Sequence, residues 1–184
     1  MEVHFGSLMP KKQGWLGSET TPLYFLLYLP IHLATSPPFA LPFLFELGVS
    51  LKLSKKEISQ EEALEKCRAP LASAMKHGET LVVAMTNCSP SFSTSLDSDT
   101  EFPTAELFKG AGKGVATNEW AEKLFREADT ANSAGLAIAN PDFRVVLTTA
   151  FESSDIKEFL FDEGMGLSKF PTELFQIIII EQDG

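Results

Sequence analysis

Cysteine, tryptophan and tyrosine occur only twice each among the 184 residues, and histidine three times. Two cysteines, Cys67 and Cys88, do not make a disulfide framework, and neither belongs to a Cys-x-x-Cys or Cys/His pattern of the kind that holds zinc. Their apolar, helix-like and strand-like surroundings lead us to expect reduced core thiols. The histidines, His4, His32 and His77, are scattered, and no metal site is expected of them. Cys88 as nucleophile with His77 as base would need the two to meet across a sheet end, and a strand-terminal cysteine in an apolar run is usually inert packing. Positive charge is also scarce: 15 Lys and Arg face 25 Asp and Glu, for a net charge of −10. A phosphate backbone selects the opposite balance, so nucleic acid is not an expected partner. The acidic pairs Asp97/Asp99 and Asp162/Glu163 read as solvated loop charge, because calcium wants more oxygen ligands at tighter spacing.

No phosphate-binding loop follows the first apolar run. A loop of the form G-x-x-x-x-G-K-[ST] cradles phosphate with backbone N–H groups and a lysine. After Leu29 the chain offers Pro-Ile-His-Leu-Ala-Thr-Ser-Pro-Pro, without glycine or lysine. Gly110-Ala111-Gly112-Lys113-Gly114 lacks the first glycine at the right spacing, lacks Ser or Thr after Lys113 and follows no strand, so it is expected as a flexible loop. Residues 20–45 lack any charged side chain, yet Pro22, Pro30, Pro37, Pro38 and Pro42 interrupt them. At ~3 kcal/mol for each interior proline, a membrane-spanning helix is not expected. The same stretch fits a core strand followed by a proline-rich loop, or a cleaved signal ending near Ala34 after Lys11 and Lys12.

What the chain does contain is apolar strings separated by helical patterns. At 184 residues with 44% apolar side chains it can fill a single sizeable core. Strands are expected over 24–29, 49–53, 81–87, 144–149 and 175–180, and a short helix over 39–47. Ser59 with Glu62 forms a capping box for a helix carrying Leu64, Cys67, Leu71 and Ala74 or Met75 on one face, bent at Pro70 and ended by Gly78. A second helix is expected with Asn118 as cap, Trp120, Leu124 and Ala128 on one face, and Glu119/Lys123 and Glu122/Arg126 paired four residues apart. A third runs from Ser154 or Asp155 through Phe161 and ends at Gly164 and Gly166. Alternation of strand and helix predicts an α/β fold with a parallel sheet. The polar, glycine-containing stretch from Ser89 to Asn140 reads as a long excursion between two strands.

Five strings carry a family resemblance. They are Thr21-Pro-Leu-Tyr-Phe-Leu-Leu27, Glu65-Lys66 through Gly78-Glu79, Val83-Ala-Met-Thr-Asn-Cys88 with Ser91, Asn140-Pro-Asp-Phe-Arg-Val-Val-Leu-Thr-Thr149, and Phe170-Pro171 with Leu174-Phe175-Gln176. In this order, from about Thr20 onward, they resemble the sixth AAA+ module of dynein heavy chains, the dynein P-loop domain region. The family's Gln-Asn-Cys-His-Leu followed by Ser-Trp is matched with Ser89 and Phe92 in place of His and Trp. The excursion at about 89–140 and a further insertion over 152–168 are longer than the family's connections, and residues 1–19 match nothing in it.

The resemblance implies an AAA+ (P-loop NTPase-like) core of three α/β/α layers over 20–184, lacking the helical lid and catalytically silent. The positions carried over are Asn87, Cys88, Phe143, Arg144, Thr148, Phe170, Pro171 and Gln176. Asn87 stands where a catalytic module would have an acid on Mg²⁺, so no catalytic, cofactor or metal residue is expected here, and ATP belongs to the other modules of a full dynein. Asn87 then serves as a residual polar contact at the sheet edge or satisfies loop backbone. Thr148 and Thr149 occupy the sensor-strand position. Arg144 faces a neighbouring module, or water and Asp142. The implied role is structural, within a microtubule motor of the cytoplasm, cytoskeleton or cilium. The implied partners are neighbouring AAA+ modules or dynein subunits, and microtubules indirectly; no membrane is expected. The alternatives are a free-standing binding or scaffold protein that kept the fold, and a small P-loop-like enzyme.

Overall fold

A computed structural model of the chain describes residues 23–27, 43–46, 48–85, 87–110, 112–152, 154–170, 172 and 175–179. It is a mixed α/β structure around a five-stranded sheet of β1 (Leu23–Leu27), β2 (Phe43–Glu46), β3 (Thr80–Ala84), β4 (Arg144–Thr149) and β5 (Phe175–Ile179). The order across the sheet is β2-β3-β4-β1-β5, and every neighbouring pair is parallel. From β2 to β3, to β4 and past β1 to β5, the chain always moves in the same direction. Right-handed crossovers therefore put these connections on one face.

Burial along the central strands agrees with that. Leu81, Val83, Val145 and Leu147 are wholly buried, and the register pairs Leu81 with Val145 and Val83 with Leu147 on one face. The alternate residues of β4, Arg144, Val146 and Thr148, are half-buried. Val82, on their side, is buried but outside the main cluster. That cluster joins the strands to every longer helix described. One of the two covering layers expected on the sheet is thus described. Residues 1–22 and 28–42, on either side of β1, lie outside the described residues.

Two elements near β2 exchange identities relative to expectation. Residues 43–46 form a strand paired with β3 rather than part of a helix over 39–47, of which 39–42 and Leu47 lie outside the described residues. Residues 49–53 are not a strand but belong to α1 (Gly48–Ser54). Val-Ser-Leu-Lys-Leu fits period two, yet Val49 and Leu53 are also one helical turn apart. Both pack against the core while Leu51 between them is half exposed.

Helix α2 (Gln60–His77) follows its sequence signals closely. The Ser59 hydroxyl accepts from the Glu62 N–H at 3.1 Å, and Gly78 closes the helix at φ 72° with its own N–H on the Ala74 carbonyl. A Cβ on Gly78 would come within 2.5 Å of the Asn140 side chain, so glycine is required for conformation and for contact. Pro70 sits inside an unbroken helix.

The excursion after β3 is a built part of the core rather than a polar detour. Phe92, Leu96, Phe102, Leu107, Phe108 and Val115 are all 0% exposed. Thr104, buried at the start of α3 (Thr104–Leu107), donates its hydroxyl to Asp97 at 2.7 Å and gives its N–H to the same carboxylate at 3.0 Å. Phe108 is the hub: its ring meets Phe92 edge-on at 5.2 Å, Phe170 edge-on at 5.1 Å and Phe175 of β5 at 6.4 Å. The glycine-rich stretch expected to be flexible packs down as well. Gly112, at φ 92°, leaves no room for a Cβ, which would lie 2.7 Å from Phe143 Cε1 and 2.9 Å from Val145 Cγ2.

The expected second helix is shorter than its pattern. α4 (Asn118–Leu124) is capped by Thr117, whose hydroxyl accepts from the Trp120 N–H at 3.3 Å, while Asn118 is turned to accept from the Ala139 N–H at 3.1 Å. Phe125 is extended and starts the break before α5 (Glu127–Thr130), leaving Ala128 exposed. Glu119 pairs with Lys123 at 3.0 Å as expected, but Arg126 turns from Glu122 to Glu101 at 3.1 Å and Glu65 at 3.6 Å. The third expected helix is a π-helix, Lys157–Phe161, without a side-chain cap, because Ser154 donates to Asp155 instead.

Arg68 ties α2 to α4 and α5. Its guanidinium is almost fully buried and meets Glu65 at 2.6 Å, Asp129 at 2.6 Å and the Leu124 carbonyl at 2.8 Å. The Arg68 hydrogen bonds hold the Glu65 carboxyl below its ordinary value of 4.5 against the opposing effect of burial. A carboxyl depressed in the folded state stabilises fully above its unfolded value and loses that contribution as pH falls through the folded one.

Two stability measurements follow. Phe108→Ala is expected to cost ~3–5 kcal/mol in urea unfolding, because three aromatic contacts go at once and a void is left in the core. Arg68→Met is expected to cost about 2 kcal/mol, less than a fully buried pair since Glu65 is half exposed. It should also flatten the loss of stability on acidification below 4.5 that is expected of the parent protein.

Candidate functional site

All strands being parallel, the sheet has two chemically distinct ends, and the residues singled out from sequence divide between them. At the carboxyl end, β3 leaves the sheet through Met85, whose N–H donates to the Thr148 carbonyl at 2.8 Å. Asn87 and Cys88 come just after and are exposed, with the Cys88 N–H turned back onto the Met85 carbonyl at 3.0 Å. Asn87 therefore lies beyond the strand that was expected to reach it. Thr148 is half-buried, and the buried Thr149 accepts at its hydroxyl from the Phe151 N–H at 3.3 Å. Phe143 and Arg144 open the same strand at its other end. At ~3.3 Å per residue, Arg144 and Thr148 are about 13 Å apart, too far to share one small ligand. Phe170 packs on Phe108; Gln176 is in register with Tyr24; Pro171 lies outside the described residues.

The loops that leave the carboxyl end hold one another. The Gly166 N–H donates to Ser89 Oγ at 2.7 Å and Lys169 Nζ donates to the Ser93 carbonyl at 3.3 Å. Between them lies an open cleft of about 490 Å³ lined by Ser91, Ser93, Thr94, Glu163, Met165 and Lys169. Its polar groups are hydroxyls, one ammonium and one carboxylate. At the strand end itself, Met85, Asn87 and Cys88 offer no carboxylate for Mg²⁺.

The two thiols differ more than their sequence contexts do. Cys67 is 1% exposed on α2, and burial pushes its pKa up to about 12. Cys88, expected in the core, is exposed because β3 has already ended. His77 closes α2 just before β3 begins, while Cys88 follows where β3 ends, so the two stand at opposite ends of the sheet and do not meet.

At the amino end, Asn140-Pro141-Asp142-Phe143 makes a turn closed by the Phe143 N–H on the Asn140 carbonyl at 3.2 Å. The Asn140 N–H in turn donates to the Met75 carbonyl at 2.8 Å, fixing the turn to the end of α2. Two cations converge on this turn. Lys113 Nζ donates to the Pro141 carbonyl, and Arg144 Nη1 donates to the same oxygen at 3.0 Å and to the Phe143 carbonyl at 2.7 Å. Desolvation, and then the Arg144 charge, lower the Lys113 pKa against the pull of Asp142. Arg144 thus caps the turn's carbonyls instead of pairing with Asp142 as considered from sequence. Beside the turn is an open cleft of about 380 Å³ with Lys76, His77, Leu136, Ile138 and Pro141 on its walls. Leu136 and Ile138 are 59% and 52% exposed. Sequence reading passed over this site, since only folding joins Lys113 to a carbonyl 28 residues away. The Leu-Ala-Ile run at 136–138 was the signal present.

Ellman's reagent is expected to modify Cys88 rapidly in the native protein and Cys67 only on unfolding; two fast thiols would contradict the buried position of α2. Among the described residues no group of three or more His, Cys, Asp and Glu side chains could hold a metal ion, and no helix is long and apolar enough to cross a membrane. Comparison of the chain with protein-family models, with curated proteins and with solved structures finds no match.

Proposed function

We propose that this chain is a non-hydrolysing AAA+ module of dynein-heavy-chain type, which contributes to microtubule-based movement only as part of a larger ring. The observation that carries the reading is the sheet order 5-1-4-3-2. A parallel sheet with the first strand between the fourth and fifth supports the AAA+ reading, in which β3 takes the position of the acid-bearing strand. Four of the five strings that resemble the dynein module reach the strands, in chain order: Leu23–Leu27 on β1, Val83 and Ala84 at the end of β3, Arg144–Thr149 on β4 and Phe175 with Gln176 on β5, while the remaining one covers α2. In a catalytic member the end of β3 holds Mg²⁺ and orients water through a carboxylate. Here the chain continues through Met85 to Asn87 and Cys88, and the sequence after β1 carries neither the glycines nor the lysine of a phosphate loop.

Such a module works by packing. Neighbouring modules bear on a rigid sheet and its covering layer, and strain applied at one side is passed to the other because a packed core resists deformation. The loops at the carboxyl end, tied to one another by Gly166 on Ser89 and Lys169 on Ser93, suit that role.

Calorimetric titration of the chain with Mg·ATP is expected to give no binding heat, and Asn87→Asp alone is not expected to restore any; micromolar affinity would overturn the silent assignment. In a dynein heavy chain whose sixth module is replaced by residues 20–184, closed rings are expected in electron micrographs. Failure of ring closure together with absence of ATP binding would instead support the free-standing binding protein.

A further inference from the structure

The geometry points to a docking site at the amino end of the sheet for an acidic segment of a partner protein that carries an apolar side chain. Two independent features coincide there. One is the open cleft of about 380 Å³, whose apolar wall is formed by Leu136, Ile138 and Pro141. Leu136 and Ile138 are two of the four large apolar side chains of the described residues that stand well exposed, and they are two positions apart on backbone that is neither helix nor strand. The other is the convergence of Lys113 and Arg144 on the carbonyl of the same Pro141. Sharing one acceptor keeps the two cationic groups within about 6 Å of each other. Asp142 is the carboxylate acting on Lys113, and Glu79, bonded through its carbonyl to the Arg144 N–H at 3.3 Å, has Oε2 buried away from the surface.

The charge balance selects the occupant. In a chain with ten more acidic than basic residues, two cations crowded beside an apolar cleft are a local reversal of the overall field. A partner with the same negative character as the rest of this surface is repelled elsewhere and attracted here, which is how complementary charge fixes register. The exposed apolar pair supplies the contact that a bare anion would leave unused. The inference does not rest on the dynein-type reading, since it involves neither the carboxyl end of the sheet nor a ring.

The test uses the full chain and a fluorescein-labelled peptide of alternating aspartate and leucine, about a dozen residues long, followed by fluorescence anisotropy. Binding is expected that weakens about tenfold or more in Leu136→Ser/Ile138→Ser and in Lys113→Glu. Both sets of changes are at the surface, and far-UV circular dichroism checks that the fold is retained. Arg144→Glu gives the same loss if its cap on the turn proves dispensable for folding. A lysine–leucine peptide that binds equally well would reduce the site to general stickiness, and an aspartate–serine peptide that binds equally well would reduce it to an anion site. Either result, no binding at all, or binding indifferent to the variants overturns the proposal.

Discussion

The contact on which the described structure depends is the Phe108 ring, set edge-on against Phe92 and Phe170 and tilted against Phe175. Phe92 comes from the loop that leaves β3, Phe108 from the middle of the excursion, Phe170 from the segment before β5, and Phe175 from β5 itself. Each long connection alone would cost conformational entropy with little return. Stacked on one another they form a common apolar layer over the sheet, at roughly 2–3 kcal/mol for each fully buried aromatic. The excursion and the segment leading into β5 are therefore mutually stabilising. That accounts for how a polar-looking stretch of this length keeps a single packed arrangement.

Legibility in the sequence followed periodicity. Helix α2 was readable because cap, apolar spacing and terminal glycine all agree, and β3 and β4 because uninterrupted Leu-Val-Val and Val-Val-Leu runs have no other use in a chain of this length. The segment 43–53 was misread because two short patterns fit both periods, and only the pairing of Phe43–Glu46 with β3 resolves them. The buried residues of the excursion, Phe92, Leu96, Phe102, Leu107, Phe108 and Val115, follow no period at all. Their burial comes from aromatic contacts with segments far along the chain, which no local pattern encodes. The candidate site was half legible for the same reason. That Asn87 and Cys88 bring no carboxylate to the end of β3 could be read directly, whereas the exposure of Cys88 depended on where β3 stops, and the meeting of Lys113 with Arg144 on tertiary packing.

Gly112 connects the core to that second site. Its left-handed backbone lies directly against Phe143 and Val145, where any side chain would collide. The loop can therefore descend onto the start of β4, and Lys113, the next residue, reaches the Pro141 carbonyl. A glycine that looked like part of a degenerate phosphate loop is needed for an apolar contact, and the lysine after it is positioned by that contact. The sequence pattern reads as a flexible loop rather than a phosphate loop; the packing fixes it and puts the lysine at the amino end of the sheet.

The two ends of the parallel sheet are thus used in opposite ways. Ligands of open parallel sheets gather at the carboxyl end, where loops diverge and leave a crevice. Here the loops converge: Gly166 binds Ser89, Lys169 binds Ser93, and Phe108 gathers the chain on either side of them. These contacts fix the loops around the cleft lined by Ser91, Ser93, Thr94, Glu163, Met165 and Lys169, and Asn87 stays exposed beyond the end of β3. The carboxyl end is thus held by contacts between its own loops, whereas at the amino end exposed leucine and isoleucine lie beside two cations that the core holds in place.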